Sequence, residues 1–360
     1  MKTSNKIYEY FKYCIIKGIN IKKDDYVEVV ASTSIISFIS ILKEALIEYT
    51  NNIFITFNDG QDVASLIEND WQLYLNNKIK YYKTLELNHF KRIRIISPFT
   101  RPLVRTNAVE NYLNNVYRLK FIQDYFLYNP HTTIAVPNEI WAAKLGISME
   151  EFWDRIIELA YEDSILFDYK NDLNSLNIKS LTFKTSLGTN ITFGMNNHFK
   201  FLDRMLDGKK YQANIPCLEI FTSPNKYEVN GTIVSSKPLY YRGSLINNYM
   251  LIFKDGKIVY NEGLEDIVGN DESLMYVGEV AIVNGFNEDI YYSTLLDENA
   301  GCHIALGEGF LNTSPDTKNI NESLTHIDLV FGYFDTTITA LLQNGSEITL
   351  MDNGKWVYKK

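Results

Sequence analysis

The chain has 360 residues, 46% hydrophobic and 22% charged, a length and balance that suit two folded domains with a core each. A formal net charge of −9 argues against nucleic acid or an anionic membrane surface as partner, and no apolar run is long enough to cross a bilayer. Cys14, Cys217 and Cys302 are odd in number and far apart, which argues against a disulfide framework and points to a reducing cytoplasm.

The opening MKTSNKIYEYFKYCIIKG breaks its apolar residues with Lys and Glu, so it reads as a helix over 6–17 stopped at Gly18, not as a secretory signal. A short β-branched strand at 26–31 (YVEVVA) leads to a helix over 34–49, a second strand at 52–57 (NIFITF) and a helix at 71–78. A third strand, 92–96 (RIRII), precedes Pro98 and Pro102; 107–128 reads as the longest helix and 131–136 (HTTIAV) as a fourth strand. This alternation predicts a parallel sheet covered by helices. No G-x-G-x-x-G or Walker A loop follows any of these strands, so nucleotide binding has no support. The aromatics of 8–13 and 112–128 recur at helical spacing and read as core, not as a stacking platform. The cations of 83–105 read as a solvated rim. His89, His131 and His198 lack acidic or histidine neighbours at metal-ligand spacing.

An amphipathic helix at 148–162 closes the first half. Near residue 165 the texture changes to short strands between turns: 180–185, 190–195, 218–222 and several within 232–257, where Lys254-Asp-Gly-Lys257 marks a hairpin. Strands at 336–342, 347–351 and 355–358 follow, with turns at Asn344-Gly345 and Asn353-Gly354. The expected organisation is an α/β domain over 1–165 and a mainly antiparallel β domain over 166–360, α+β overall.

The chemistry concentrates in 278–309, GEVAIVNGFNEDIYYSTLLDENAGCHIALGEG, and in NESLTHIDLVFG. Glu279, Glu298, His303, His326 and Asp328 are oxygen and nitrogen donors suited to Zn²⁺, Co²⁺ or Mn²⁺, with no thiolate cluster to compete. Residues two apart on a strand face the same way, so His326 and Asp328 can reach one site while Ile327 points away. Alone, such a pair is more often simply solvated.

Read together, NIPCLEIFTSP, VNGTIVSSKPLYYRGSLINN, GEVAIV, TLLDENAGCHIALGEGF and NESLTHIDLVFG resemble, in order, the blocks of the aminopeptidase T/aminopeptidase S type of metalloaminopeptidases. The resemblance covers the chain from about residue 130 to the end. It implies a dinuclear metal site with ligands Glu219, Glu279, Glu298, His303, His326 and Asp328, Glu279 being our choice for the carboxylate shared by both metals. It further implies hydrolysis of N-terminal residues from peptides with a free amine by a metal-activated water, in a cytoplasmic homodimer. One position departs from the pattern. The family tyrosine seven residues after the H-I-A-L-G histidine is Phe310, which fills the space but lacks the hydroxyl. The rival reading is therefore a catalytically silent relative that keeps metal or peptide binding for a structural or interaction role.

Overall fold

The computed structural model describes residues 3–57, 61–99, 106–121, 125, 129–206, 208–241, 244–269 and 271–359. The chain forms two compact units, Met1–Glu162 with Gly208–Cys217, and Asp163–Asp207 with Leu218–Lys360.

The first unit is built on five parallel strands in the order Ile53–Phe57, Val27–Ala31, Lys91–Ile96, His131–Ala135 and Asn214–Ile215. Val27–Ala31 is buried along its whole length because helices cover both faces of a parallel sheet, which is why VEVVA is nearly continuous in β-branched residues. The four strands expected from the first half are all present. The fifth was not anticipated: a two-residue strand leaves too short an apolar run to read, and its partner lies some eighty positions earlier in the chain.

Helix Met149–Tyr161 begins where the Ser148 hydroxyl accepts the Glu151 amide, and it buries Phe152, Trp153, Ile156 and Ala160 along one stripe. Trp153 meets Tyr10 and Phe11 edge-on at 5.7 and 6.1 Å, so the aromatics near the N-terminus are core, as their spacing predicted. One expectation is corrected. The longest helical run among the described residues is Gln61–Leu87, kinked at Asp70, whereas the segment from 107 is α-helical over Asn107–Asn115 and tightens to a 3₁₀ turn over Val116–Leu119. Positions 122–124 and 126–128 of the expected helix lie outside the described residues.

The second unit carries an eight-stranded antiparallel sheet and a four-stranded antiparallel sheet. The hairpin at 254–257 joins Met250–Lys254 to Lys257–Glu262, with Asp255 and Gly256 both at positive φ (50° and 84°). The four-stranded sheet runs His326–Val330, His303–Gly307, Val277–Val283, Glu219–Thr222. Its two faces differ sharply. Ile220, Val280, Ile282, Ile304, Leu306, Ile327 and Leu329 join the core of this unit, together with Phe183 and Phe193 of the larger sheet. The polar residues that alternate with them fall on the opposite face.

Candidate metal centre

Cross-strand register explains why five of the six candidate ligands share that opposite face. Glu279 pairs with Ala305, which pairs with Asp328; Gly307 pairs with His326; Ala281 pairs with His303; and Val283 pairs with Glu219. Residues directly opposite on neighbouring strands point the same way, so the carboxylates and imidazoles converge above a floor of Ala281, Ala305 and Gly307. The small residues leave room between the ligand tips. Gly307 is held at φ 98°, and a Cβ there would lie 2.0 Å from the Thr325 carbonyl oxygen. Gly307→Ala is accordingly expected to lower stability by about 1–3 kcal/mol, read as a shift of the denaturation midpoint; an unchanged midpoint would contradict this reading of the Gly307 backbone.

The ligand tips are close. The Nε2 of His303 lies 2.9 Å from Glu219 Oε2, and His326 Nε2 lies 3.0 Å from Glu279 Oε2 and 3.1 Å from Asp328 Oδ1. Each histidine is held from its other nitrogen. His303 Nδ1 donates to the Gly301 carbonyl at 3.1 Å, and His326 Nδ1 to the Glu308 carbonyl at 2.8 Å. A carbonyl only accepts, so Nδ1 carries hydrogen and Nε2 faces the carboxylates. One ligand atom from each of Glu219, Glu279 and His303 lies within 4.8 Å of the others, and the same holds for Glu279, His326 and Asp328. Glu279 is common to both groups.

Glu298 stands apart from these strands, in the 3₁₀ turn Glu298–Ala300 that follows helix Thr294–Asp297. It is buried, and its neighbours orient the turn. Asn299 Oδ1 accepts the Leu218 amide at 2.5 Å and its Nδ2 donates to the Leu295 carbonyl at 2.8 Å, tying the turn to the residue before Glu219. Asp297 accepts the amides of Tyr291 and Ser293 at 2.8 and 2.9 Å, fixing the chain that leads in. Neither residue was singled out in the sequence, although both lie in the D-E-N block.

Electrostatics mark the cluster as a place for cations. Burial drives Glu298 well above the usual carboxylate range, and repulsion from Asp328 and Glu219 adds to it. Burial likewise raises Glu279, partly opposed by His326. Burial opposes charge on both histidines, yet the adjoining carboxylates win: Glu219 beside His303 helps push it up to about 10, and Asp328 and Glu279 raise His326 well above its ordinary value. Burial also disfavours the Asp328 anion, but His326 holds that carboxyl below its ordinary range. Protons thus occupy positions where a divalent ion would satisfy the same oxygens. A cation with bonds of ~2.0–2.2 Å sets its ligand atoms roughly 3–3.5 Å apart, close to the spacing between these tips, so the residues fit such an ion.

Phe310 borders the cluster. Its ring lies 4.8 Å from that of Phe221 and 5.6 Å from the His326 imidazole, and its amide donates to Ser223 Oγ at 2.7 Å. Ser223 carried no signal of its own in the sequence. His89, His131 and His198, set aside earlier, are in neither ligand group.

A buried His303, a more open His326 and their carboxylate neighbours converge on one sheet face as a donor set for a divalent metal. A family model described as thermophilic metalloprotease (M29) matches residues 3–356, and the chain belongs to that family of metalloaminopeptidases, hydrolases acting on peptides. It is 25% identical to aminopeptidase AmpS of Bacillus subtilis (strain 168) across 99% of each chain. It is 30% identical to aminopeptidase T of Thermus aquaticus over 207 residues, 51% of this chain and 50% of that one. The solved structure of wild-type AmpT from Thermus thermophilus superposes at a TM-score of 0.81, covering 98% of this chain and 99% of that one at 21% identity, which establishes the shared fold. No helix among the described residues is long and apolar enough to cross a membrane.

Proposed function

We propose that the protein removes N-terminal residues from peptides with a free amine, using two divalent metal ions held by Glu219, Glu279, Glu298, His303, His326 and Asp328. The observation that carries this reading is the position of Glu279, whose carboxylate belongs to both ligand groups while each group brings its own histidine. Bound there, the metal supplies Lewis acidity, acidifying water and polarising the scissile carbonyl. The protein's part is placement. The carbonyls of Gly301 and Glu308 fix both imidazoles with Nε2 inward, and the alanine and glycine floor keeps the space between the strands open. The metal is Zn²⁺, Co²⁺ or Mn²⁺ by donor chemistry. We assign the catalytic role to the C-terminal domain, 166–360, with 1–165 as a separate α/β domain, and the protein to a cytoplasmic homodimer.

Metal uptake is expected to expel protons, with a sign the histidines set. Carboxylate neighbours raise both histidines, His303 to about 10, which favours their imidazolium forms in the metal-free protein, and ligation requires the neutral ring. Loading is expected to release protons from the histidines and from the raised Glu298 and Glu279 carboxyls, and affinity to fall as pH drops. Calorimetry in buffers of different ionisation enthalpy reads the number directly. Release near zero would contradict this ligand set.

Phe310 favours a second reading, a metal-retaining but silent relative, because the resemblance implies a tyrosine hydroxyl at this position, where the ring meets His326. Turnover of unblocked aminoacyl reporters by metal-loaded protein separates the two: hydrolysis supports the enzyme, and a metal-loaded protein inert on every reporter supports the relative.

A further inference from the structure

The five-stranded sheet of the first unit has one face that an α/β core does not ordinarily carry. Its register sets Phe54, Glu28, Arg92 and His131 side by side, and one pleat further on Thr56, Val30, Arg94 and Thr133. A parallel sheet covered by helices is normally apolar on both faces. The opposite face obeys that rule, with Val27, Val29, Ile93 and Ile95 buried. Helix Gln61–Leu87 reaches the polar face through Tyr81, whose hydroxyl lies 3.0 Å from Thr56 Oγ1, and through Tyr82 and Lys78.

Charge on this face does not balance. Glu28 is fully buried and Arg92 takes it up, with Nε and Nη2 at 2.7 and 2.6 Å from Glu28 Oε2. Arg92, expected on a solvated rim, instead lies 5.1 Å from the Tyr82 ring centre. The half-buried Lys78 places Nζ 6.0 Å from that same ring and 3.5 Å from the Tyr112 hydroxyl. Arg94 follows Arg92 on the same face and opens to solvent. Among the described residues, neither Lys78 nor Arg94 has a carboxylate within ion-pair distance. The surrounding protein disfavours the charge on both, and Arg92 adds repulsion. The phenols cannot compensate at neutral pH, since burial pushes Tyr81 and Tyr82 up to about 12. Two positive charges are left over.

Topology gives these charges a place. By chain position the strands of the sheet run 2-1-3-4-5, so the order reverses between Val27–Ala31 and Lys91–Ile96. In open α/β sheets ligands settle at such a reversal, beyond the carboxyl ends of the strands. The Glu28–Arg92 pair spans that junction, and Arg94 lies one pleat nearer the carboxyl ends. We propose that Arg94 and Lys78 bind a phosphate group there, free or carried by a small ester, with the Tyr112 hydroxyl as a further donor. A dianion balances both cations, whereas a carboxylate leaves one of them unmatched. The arginine fork offers two parallel hydrogen bonds to phosphate oxygens, and the lysine supplies a point charge.

The test is calorimetric titration of inorganic phosphate into the full-length chain carrying Glu279→Ala, which removes phosphate held through the metal residues. That protein is expected to bind about one phosphate per chain. Arg94→Gln and Lys78→Met, each added to it, are expected to weaken binding at least about tenfold, the scale of one hydrogen bond to a charged group. Without phosphate, both added variants should unfold at or above the temperature of their parent, because each removes a repelled cation. A lower temperature in both would contradict the unbalanced charge on which the site rests. Competition with glycerol phosphate separates the sources: tighter binding of the ester assigns a phosphorylated metabolite, and tighter binding of inorganic phosphate assigns the free ion. Acetate bound as tightly as phosphate, no saturable binding by the Glu279→Ala protein, or binding that both added variants leave unchanged would overturn the proposal.

Discussion

Glu279→Ala is expected to abolish hydrolysis, lowering kcat/KM by at least about 10³-fold, and to lower bound metal at both ligand groups together. The size of the effect follows from the shared carboxylate: Glu219 and His303 lose their third neighbour, and so do His326 and Asp328. Glu279→Gln keeps the volume and one oxygen but removes the charge, so it separates packing from coordination. Both variants should also lose the increase in unfolding temperature that added metal confers on the wild type, since a ligand stabilises only a protein that binds it. The measurement is metal content per chain beside thermal unfolding with and without Mn²⁺. A variant that keeps full metal content and the full metal-induced shift would remove Glu279 from the centre.

Phe310→Tyr is expected to act in the other direction, raising kcat by up to about 10²-fold on an unblocked aminoacyl reporter. The ring is already placed between Phe221 and His326, and its backbone is fixed by Ser223, so one added oxygen is a small steric change. A hydroxyl there can donate to the oxyanion that develops at the scissile carbonyl, an interaction made in the transition state and therefore expected in kcat more than in KM. N-acetylated reporters are expected to stay uncleaved by both forms. An active wild type with an unchanged variant would mean that another group supplies the donor. A metal-loaded wild type and variant that are both inert would support the silent relative.

What the sequence could reveal depended on how locally each feature is encoded. The parallel strands of the first unit are short β-branched runs between helices, and each announces itself within five or six residues. Asn214–Ile215 does not, because its strand character comes from pairing with Thr133 and Ile134 rather than from its own composition. The His326/Asp328 geometry follows from strand periodicity alone. The meeting of Glu219 with His303 does not, since it needs the register that carries Val283 opposite Glu219 and Ala281 opposite His303. The ordered motif blocks supplied those residues by resemblance, without their distances. Asn299, Asp297 and Ser223 went unread because their work is to hold backbone amides, and an amide has no signature in the sequence. The floor of Ala281, Ala305 and Gly307 was invisible for a related reason: small residues matter there for what they leave open.

The most direct test of the metallopeptidase account is hydrolysis of a leucyl reporter by purified protein before chelation, after exhaustive chelation with metal loss verified by elemental analysis, and after adding back Zn²⁺, Co²⁺ or Mn²⁺. The account predicts hydrolysis that disappears with the metal and returns with at least one of the three ions. Hydrolysis that persists undiminished in verified metal-free protein would contradict it.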